Sequence, residues 1–168
     1  MLPYKQVDID VPVEPMLREY DRIKHLLSPY RDFVGFQVYG HRWVEGEPGI
    51  TETSWPRLLP NTMSWISEIM DLGSQKGIVA FQVMQPGGRL PTHRDKTTRG
   101  FLDGSVNVAL TNPAGCGFVF EGFDPVPMRA GIAFMIDNSF LHHTYNDDEK
   151  DRIHLYLQGN FNPRYVRD

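Results

Sequence analysis

Residue type and spacing bear on chemistry in a few short stretches of this chain. The stretch Pro86-Gly87-Gly88-Arg89-Leu90-Pro91-Thr92-His93-Arg94-Asp95 follows an apolar run, Gly77 to Met84, turns through its glycines and ends in His-x-Asp. An extended backbone alternates its side chains, which sends His93 and Asp95 to one side and Arg94 to the other. An imidazole and a carboxylate so placed are two of the three donors of a 2-His-1-carboxylate facial site, the arrangement that binds non-haem Fe(II). A surface loop with a salt-bridged Asp shows the same pair, and the rest of the chain has to separate the two.

Further downstream, Gly131-Ile-Ala-Phe-Met-Ile136 reads as a buried strand that delivers the chain to Asp137-Asn-Ser-Phe-Leu-His142-His143. Adjacent residues face opposite ways, so His142 and His143 do not both enter one site. In Arg152-Ile-His-Leu-Tyr-Leu-Gln158, alternation puts Arg152, His154, Tyr156 and Gln158 on one face and Ile153, Leu155 and Leu157 on the other. The apolar face must pack on a core, which leaves the polar face lining an interior. A guanidinium there requires an anion, because an unpaired buried charge is costly, and its planar fork suits a carboxylate. A surface Arg paired with Asp148 or Asp151 is the alternative.

The elements that must hold these residues are mostly strands. Short apolar runs recur between Gly, Pro, Asn and Asp at 77–84, 104–110, 116–120, 126–136, 140–145 and 152–159. That is the rhythm of a β-sandwich or barrel, not of βαβ units. Before them, 4–12 and 33–39 read as strands. Residues 14–27 read as an amphipathic helix with Met16, Leu17, Tyr20, Ile23 and Leu27 on its apolar side and His25 on its polar side. Residues 62–72 read as a second helix capped by Asn61. Trp43 and Trp55 fall in a Gly/Pro-broken loop over 40–60, where they either line a mouth or form a satellite cluster. The expectation is one domain over 1–168, mainly β with N-terminal helices. Its N-terminal helical and strand layer, 1–76, covers a β-core, 77–160, wound as a double-stranded β-helix, the jelly roll of cupins.

Composition narrows the class. The chain has 168 residues, 40% hydrophobic and 23% charged, with a net charge of −4. It is long enough for a core and carries no basic stripe that would favour nucleic acid. The single cysteine, Cys116, rules out a disulfide within the chain and a Cys-rich zinc site, and reads as core packing. The N-terminus shows no apolar signal region and no run nears the ~20 residues of a membrane span, so the expected setting is cytoplasmic, without a membrane partner.

Taken in order, Pro-Gly-x-x-x-Pro-x-His-x-Asp, then Asp-x-Ser-Phe-x-His, then Arg ten residues beyond that His resemble the aspartyl/asparaginyl β-hydroxylase family of Fe(II)/2-oxoglutarate oxygenases. Within it they are most similar to the proline-hydroxylase-like branch. The resemblance covers about residues 77–160. It implies that His93, Asp95 and His142 are the metal ligands and catalytic centre, with Fe(II), 2-oxoglutarate and O2 as cofactor and cosubstrates. It implies that Arg152 anchors 2-oxoglutarate, with His154 and Tyr156 lining that pocket. Ser105 or Asn107 stands where the family often carries a further basic residue for the cosubstrate. It selects His142 over His143, which is left to packing. The enzyme that names the family lacks the triad carboxylate; Asp95 supplies one here, which points to the proline-hydroxylase-like branch. The implied activity is hydroxylation of a C–H in a free amino acid, a small acid or a peptide residue. Arg94, Arg99, Gln82 and Trp43, with Lys96, Gln37 and Tyr39, are the expected substrate contacts. Two rival readings share the fold. One is a cupin-type metal enzyme that does not use 2-oxoglutarate and gives Arg152 a structural task. The other is a non-catalytic jelly-roll binding module with Trp43 and Trp55 as its platform.

Overall fold

Alternation of apolar and polar residues sets the layers. In the computed structural model, which describes residues 1–29, 31–43, 55–73, 77–95 and 105–165, the described residues form ten strands and three α-helices. In chain order these are β1 (Tyr4–Val7), α1 (Val13–Ile23) with a 3-10 turn (Lys24–Leu26), β2 (Arg31–Phe33), β3 (Phe36–Trp43), α2 (Trp55–Leu58) and α3 (Pro60–Ile69). There follow β4 (Gly77–Met84), β5 (Arg89–His93), β6 (Ser105–Ala109), β7 (Cys116–Phe120), β8 (Ala133–Ile136), β9 (His142–Asn146) and β10 (Arg152–Gln158). A seven-stranded sheet runs β1-β8-β6-β10-β4-β3-β2 and a three-stranded sheet runs β5-β9-β7, antiparallel throughout. From β4 to β10 successive strands alternate between the two sheets. That winding is the double-stranded β-helix expected from the rhythm of short strands.

The N-terminal half does more than cover this core, because β1, β2 and β3 are strands of the major sheet. One face of that sheet presents Val79, Phe81, Val83, Leu155 and Leu157 to Met16, Tyr20 and Ile23 of α1 and to Ile66 and Ile69 of α3. Each such side chain removed from water contributes about 1.5–3 kcal/mol. The other face looks toward the minor sheet, and there β10 carries its polar residues. Trp55 is not in a loop; it sits in α2, buried against Phe81 with ring centroids 5.7 Å apart. The strand expected over 126–136 is shorter, with only Ala133–Ile136 in the ladder. Among the described residues no helix is long and apolar enough to cross a membrane.

The Gly-rich turn before β5 lies flush on the β2–β3 hairpin. A Cβ added at Gly88 would stand 2.2 Å from the Gly35 carbonyl oxygen, and Gly35 itself holds φ at +71°. Only glycine fits such an approach and such a backbone. Gln85 N–H donates to the same Gly35 oxygen at 2.9 Å, which fixes where β5 begins.

The start of α3 is capped from outside. Asn61 was the expected cap, but the helix begins at Pro60 and its open N–H groups are met by Glu19 of α1. Glu19 is 5% exposed. Its Oε1 accepts from Asn61 N and Nδ2, both at 2.7 Å, and its Oε2 from Thr62 N at 2.9 Å and Thr62 Oγ1 at 2.7 Å. A carboxylate there satisfies orphan donors and meets the positive end of the helix dipole. Burial by itself raises the Glu19 pKa, but the hydrogen bonds from Asn61 and Thr62 outweigh it and leave the group below its ordinary value. The stabilisation is therefore present above the unfolded-state value of ~4.3 and is lost as pH falls through the folded-state value. Glu19→Gln is expected to cost about 2 kcal/mol at neutral pH. Urea titrations of both proteins should show that gap narrowing as the medium is acidified.

Candidate active site

The minor sheet assembles the two imidazoles. β5 is one of its two edge strands, a position that tolerates Pro91, and it pairs with β9 so that His93 stands opposite His142. A bulge lies between Leu90 and His93, where two β9 residues span the step that β5 takes in three. The extra residue resets the alternation, so Leu90 and His93 both face the interior. The rings meet with centroids 4.3 Å apart.

Each ring is oriented by a carbonyl on its own chain segment. His93 Nδ1 lies 2.7 Å from Pro91 O, and His142 Nδ1 lies 2.9 Å from Phe140 O. A carbonyl only accepts, so both rings carry a proton on Nδ1 and turn Nε2 toward another partner. Burial pushes the His142 pKa down, which keeps that ring neutral. Phe118 stacks on it, centroids 5.2 Å apart and planes 7° from parallel. His143 takes the opposite face, half-buried beside Tyr145.

Asp95 lies two residues past the end of β5, and its Oδ1 is 3.8 Å from His93 Nε2. Its backbone N–H donates to Asn138 O at 2.9 Å, tying this segment to the turn that precedes β9. Asp137 shapes that turn: its Oδ1 accepts from Ser139 N at 3.0 Å and Ser139 Oγ at 2.6 Å. The Asp-x-Ser of the motif is thus a turn device that aims His142. Among the described residues no three His, Cys, Asp or Glu side chains are already drawn together at metal-binding distances. Two imidazoles are in place and the Asp95 carboxylate stands at their edge, with its side chain 40% exposed.

Between the sheets lies a cavity of about 400 Å³, reached by His93, Asp95 and His142. Ser105, Asn107 and Tyr156 line it, as does Asn138. Asn138 Nδ2 donates to Ser105 Oγ at 2.9 Å and to Tyr156 Oη at 3.3 Å, so these three form one polar wall. His154 does not line the cavity, which corrects the expectation for that residue. It is fully buried, with Nδ1 2.6 Å from Asn107 Oδ1 and Nε2 3.1 Å from Asn112 Oδ1, so the single N–H of the neutral ring donates to one of these two amides. Burial and the nearby Arg152 charge hold its pKa well below the ordinary value. Its task is to brace Asn107.

Arg152 continues the same face of β10 beyond the lining residues. It is 1% exposed; among the described residues its Nε and Nη1 have no partner and its Nη2 reaches only Met128 Sδ at 3.9 Å. Neither Asp148 nor Asp151 pairs with it, and burial pushes the guanidinium down to about 10. The other buried side-chain atom without a partner among the described residues is Thr144 Oγ1, on the cavity wall.

Of the expected substrate contacts, Gln82 and Arg94 line the cavity. Arg94 does so against the alternation rule because β5 ends at His93. Gln37 and Tyr39 do not line it; Tyr39 Oη donates to Gln37 Oε1 at 2.6 Å and the ring packs toward the helices. Lys96, Arg99 and the Trp43 side chain lie outside the described residues. Sequence reasoning missed Asn138, Thr144, Arg31 and Arg42. Thr144 was readable, since it shares the His142 face of β9 two residues on; the arginines carried no such signal.

The sequence model of the aspartyl/asparaginyl β-hydroxylase family matches residues 35–160. No curated protein sequence matches significantly. Among solved structures, the chain is similar to a Pseudomonas putida prolyl-4-hydroxylase, at 14% identity and a TM-score of 0.54, with 99% of this chain and 94% of that one covered. It is similar to the viral collagen prolyl hydroxylase of Paramecium Bursaria Chlorella virus-1 in complex with 2-oxoglutarate, at 14% identity and a TM-score of 0.55, with 94% of each chain covered. It is also similar to an oxidoreductase of the 2-oxoglutarate-Fe(II) oxygenase family from Burkholderia pseudomallei, at 12% identity and a TM-score of 0.52, covering 84% of this chain and 76% of that one. At such identities the likeness is one of fold.

An unpaired buried guanidinium is a cost carried by the ligand-free protein. Arg152→Met should therefore raise its stability by about 2 kcal/mol, read from urea denaturation without ligands. A loss of stability would mean that Arg152 already has an anionic partner in the free protein.

Proposed function

The chain belongs to the aspartyl/asparaginyl β-hydroxylase family, and from that premise we propose that it is an Fe(II)/2-oxoglutarate-dependent oxygenase acting on a C–H of a free amino acid, a related small acid or a peptide residue. His93 and His142, through Nε2, and Asp95 are the residues that hold the metal. The donor set suits it: two imidazoles whose Nδ1 atoms are held by backbone carbonyls, leaving Nε2 as the donor atom, and a carboxylate beside them. The observation that carries the cosubstrate is the set of orphaned interior atoms, Arg152 Nε and Nη1 with Thr144 Oγ1. A carboxylate is the acceptor that would remove the cost of burying the guanidinium, and Thr144, on the cavity wall, has a further donor to offer. The far carboxylate of 2-oxoglutarate has that chemistry, and its keto-acid end would be left for the metal that His93, His142 and Asp95 would hold.

Bound Fe(II) supplies the activation of O2 coupled to oxidative decarboxylation of 2-oxoglutarate. The reaction balances as substrate C–H plus O2 plus 2-oxoglutarate giving C–OH, succinate and CO2, one oxygen atom entering each of the first two products. The chain's own residues bind and orient. Ser105, Asn138 and Tyr156 offer a hydrogen-bonded wall, while Phe118, Ile136 and Leu90 limit water at the reacting end. The two rival readings, a metal enzyme without 2-oxoglutarate and a binding module without metal, leave the Arg152 and Thr144 atoms without a purpose.

Thermal unfolding with Mn(II) and N-oxalylglycine, an inert analogue of the cosubstrate, tests the binding half. A ligand held only by the folded state at 100 times its Kd stabilises by about 2.7 kcal/mol. Wild type should show a rise for metal and a further rise for the analogue. Asp95→Ala should lose both, and Arg152→Met should keep the first and lose the second. No response of the wild type to either ligand, together with no succinate release under Fe(II), 2-oxoglutarate and air, would remove the proposal.

A further inference from the structure

We infer that Arg42 is the anion contact for the substrate, and that the substrate is a free carboxylic acid held by its carboxylate at the end of the cavity away from Arg152. The inference rests on the oxygenase reading and narrows its substrate class. Cross-strand pairing lays one row of cavity-lining residues across the major sheet. Arg42 of β3 stands opposite Ile78 of β4, Ile78 opposite Gln158 of β10, Gln158 opposite Ser105 of β6, and Ser105 opposite Ile136 of β8. Hydrogen bonds join this row to the residues proposed to hold the metal. Asn138 Nδ2 donates to Ser105 Oγ at 2.9 Å, and Asn138 O accepts from Asp95 N at 2.9 Å. Arg152 lies at the other end of β10 from Gln158, about 20 Å away along the strand at ~3.3 Å per residue.

The two ends therefore serve different ligands. With one end on Arg152 and the other on the metal, the cosubstrate has no group left for Arg42. Arg42 is exposed, and no hydrogen bond or ion pair engages its side chain among the described residues. Arg31 also lines the cavity but is already engaged within the chain. Arg94, exposed between His93 and Asp95, adds a second positive charge to the lining. Asp95 is the sole acid among the described lining residues, and the metal takes it. Positive charge at a mouth concentrates an anionic substrate there, and the planar fork of Arg42 suits a carboxylate. Ile78 and Ile136 offer apolar surface along the same row for the body of the molecule. A residue within a peptide presents an amide where Arg42 calls for a carboxylate.

The test compares free L-amino acids with their carboxamides, and includes hexanoate and octanoate as acids without an ammonium. At least one free acid should raise the unfolding temperature of the protein holding Mn(II) and N-oxalylglycine. The same acid should stimulate succinate release from the enzyme loaded with Fe(II) and 2-oxoglutarate, with a KM about tenfold below that of its carboxamide. Arg42→Gln should raise the KM of the acid by about tenfold, to the carboxamide value, and remove the thermal shift given by the acid. Its response to metal and analogue should stay as in wild type, which shows that the variant is folded. A carboxamide used as well as its free acid would overturn the inference. So would an unchanged KM in Arg42→Gln, or a panel in which no acid gives a shift or succinate release while metal and analogue still stabilise the protein. A wild type with no thermal response to metal and analogue is a different failure; it removes the oxygenase reading and this inference with it.

Discussion

The pairing of β5 with β9 is the constraint on which the site depends. It sets His93 opposite His142, and the bulge after Leu90 turns both His93 and Leu90 inward from a strand whose plain alternation would separate them. The same ladder is anchored at its far end, where Gly87 N–H donates to Asn146 O at 2.8 Å and Asn146 N–H donates to Gly88 O at 3.1 Å. Asn146 is fully buried and uses its side chain to hold Met84 O and Lys150 O, each at 2.8 Å. The glycines of the motif are therefore not decoration around a metal signature. They let the turn lie against the β2–β3 hairpin so that β5 starts in the register that places His93.

A second constraint is electrostatic. The interior face of β10 is polar because its other face is committed to the helices, and one strand cannot be apolar on both sides here without losing the cavity. Most polar groups of that interior are paired within it: His154 with Asn107 and Asn112, Tyr156 with Asn138, Asn138 with Ser105. Arg152 and Thr144 are the exceptions among the described residues. Native proteins rarely leave such atoms unmet, and the proposed cosubstrate carboxylate would meet them. Cys116 belongs to this surround and not to a plain apolar core: it is half-buried, and its thiol donates to Asn146 Oδ1 at 3.1 Å.

The helices support the site at one remove. They cover the outer face of the major sheet, and the Glu19 clamp joins α1 to the start of α3. That layer holds β4 and β10 flat against the core while their inner residues shape the cavity. The N-terminal strands enter more directly, since β2 and β3 bring Phe36, Val38 and two arginines to the cavity wall. The family match beginning at residue 35 agrees with this contribution.

Local pattern determined the strand rhythm, the two faces of β10, the opposite facing of His142 and His143, and the His-x-Asp and Asp-x-Ser-Phe-x-His motifs, because alternation and turn chemistry act over a few residues. It also placed His25 on the polar side, and that residue is exposed in the 3-10 turn that follows α1. What it could not place were features set by contacts between distant segments. The bulge in β5, the cap on α3 drawn from another helix, the burial of Trp55 and the joining of β1–β3 to the major sheet all belong to this group. So do Arg31 and Arg42, which look like ordinary surface residues until the hairpin carrying them is laid beside the cavity. Which buried polar atoms lack partners is likewise decided only by packing, since a partner is absent or present according to what the rest of the chain brings within reach.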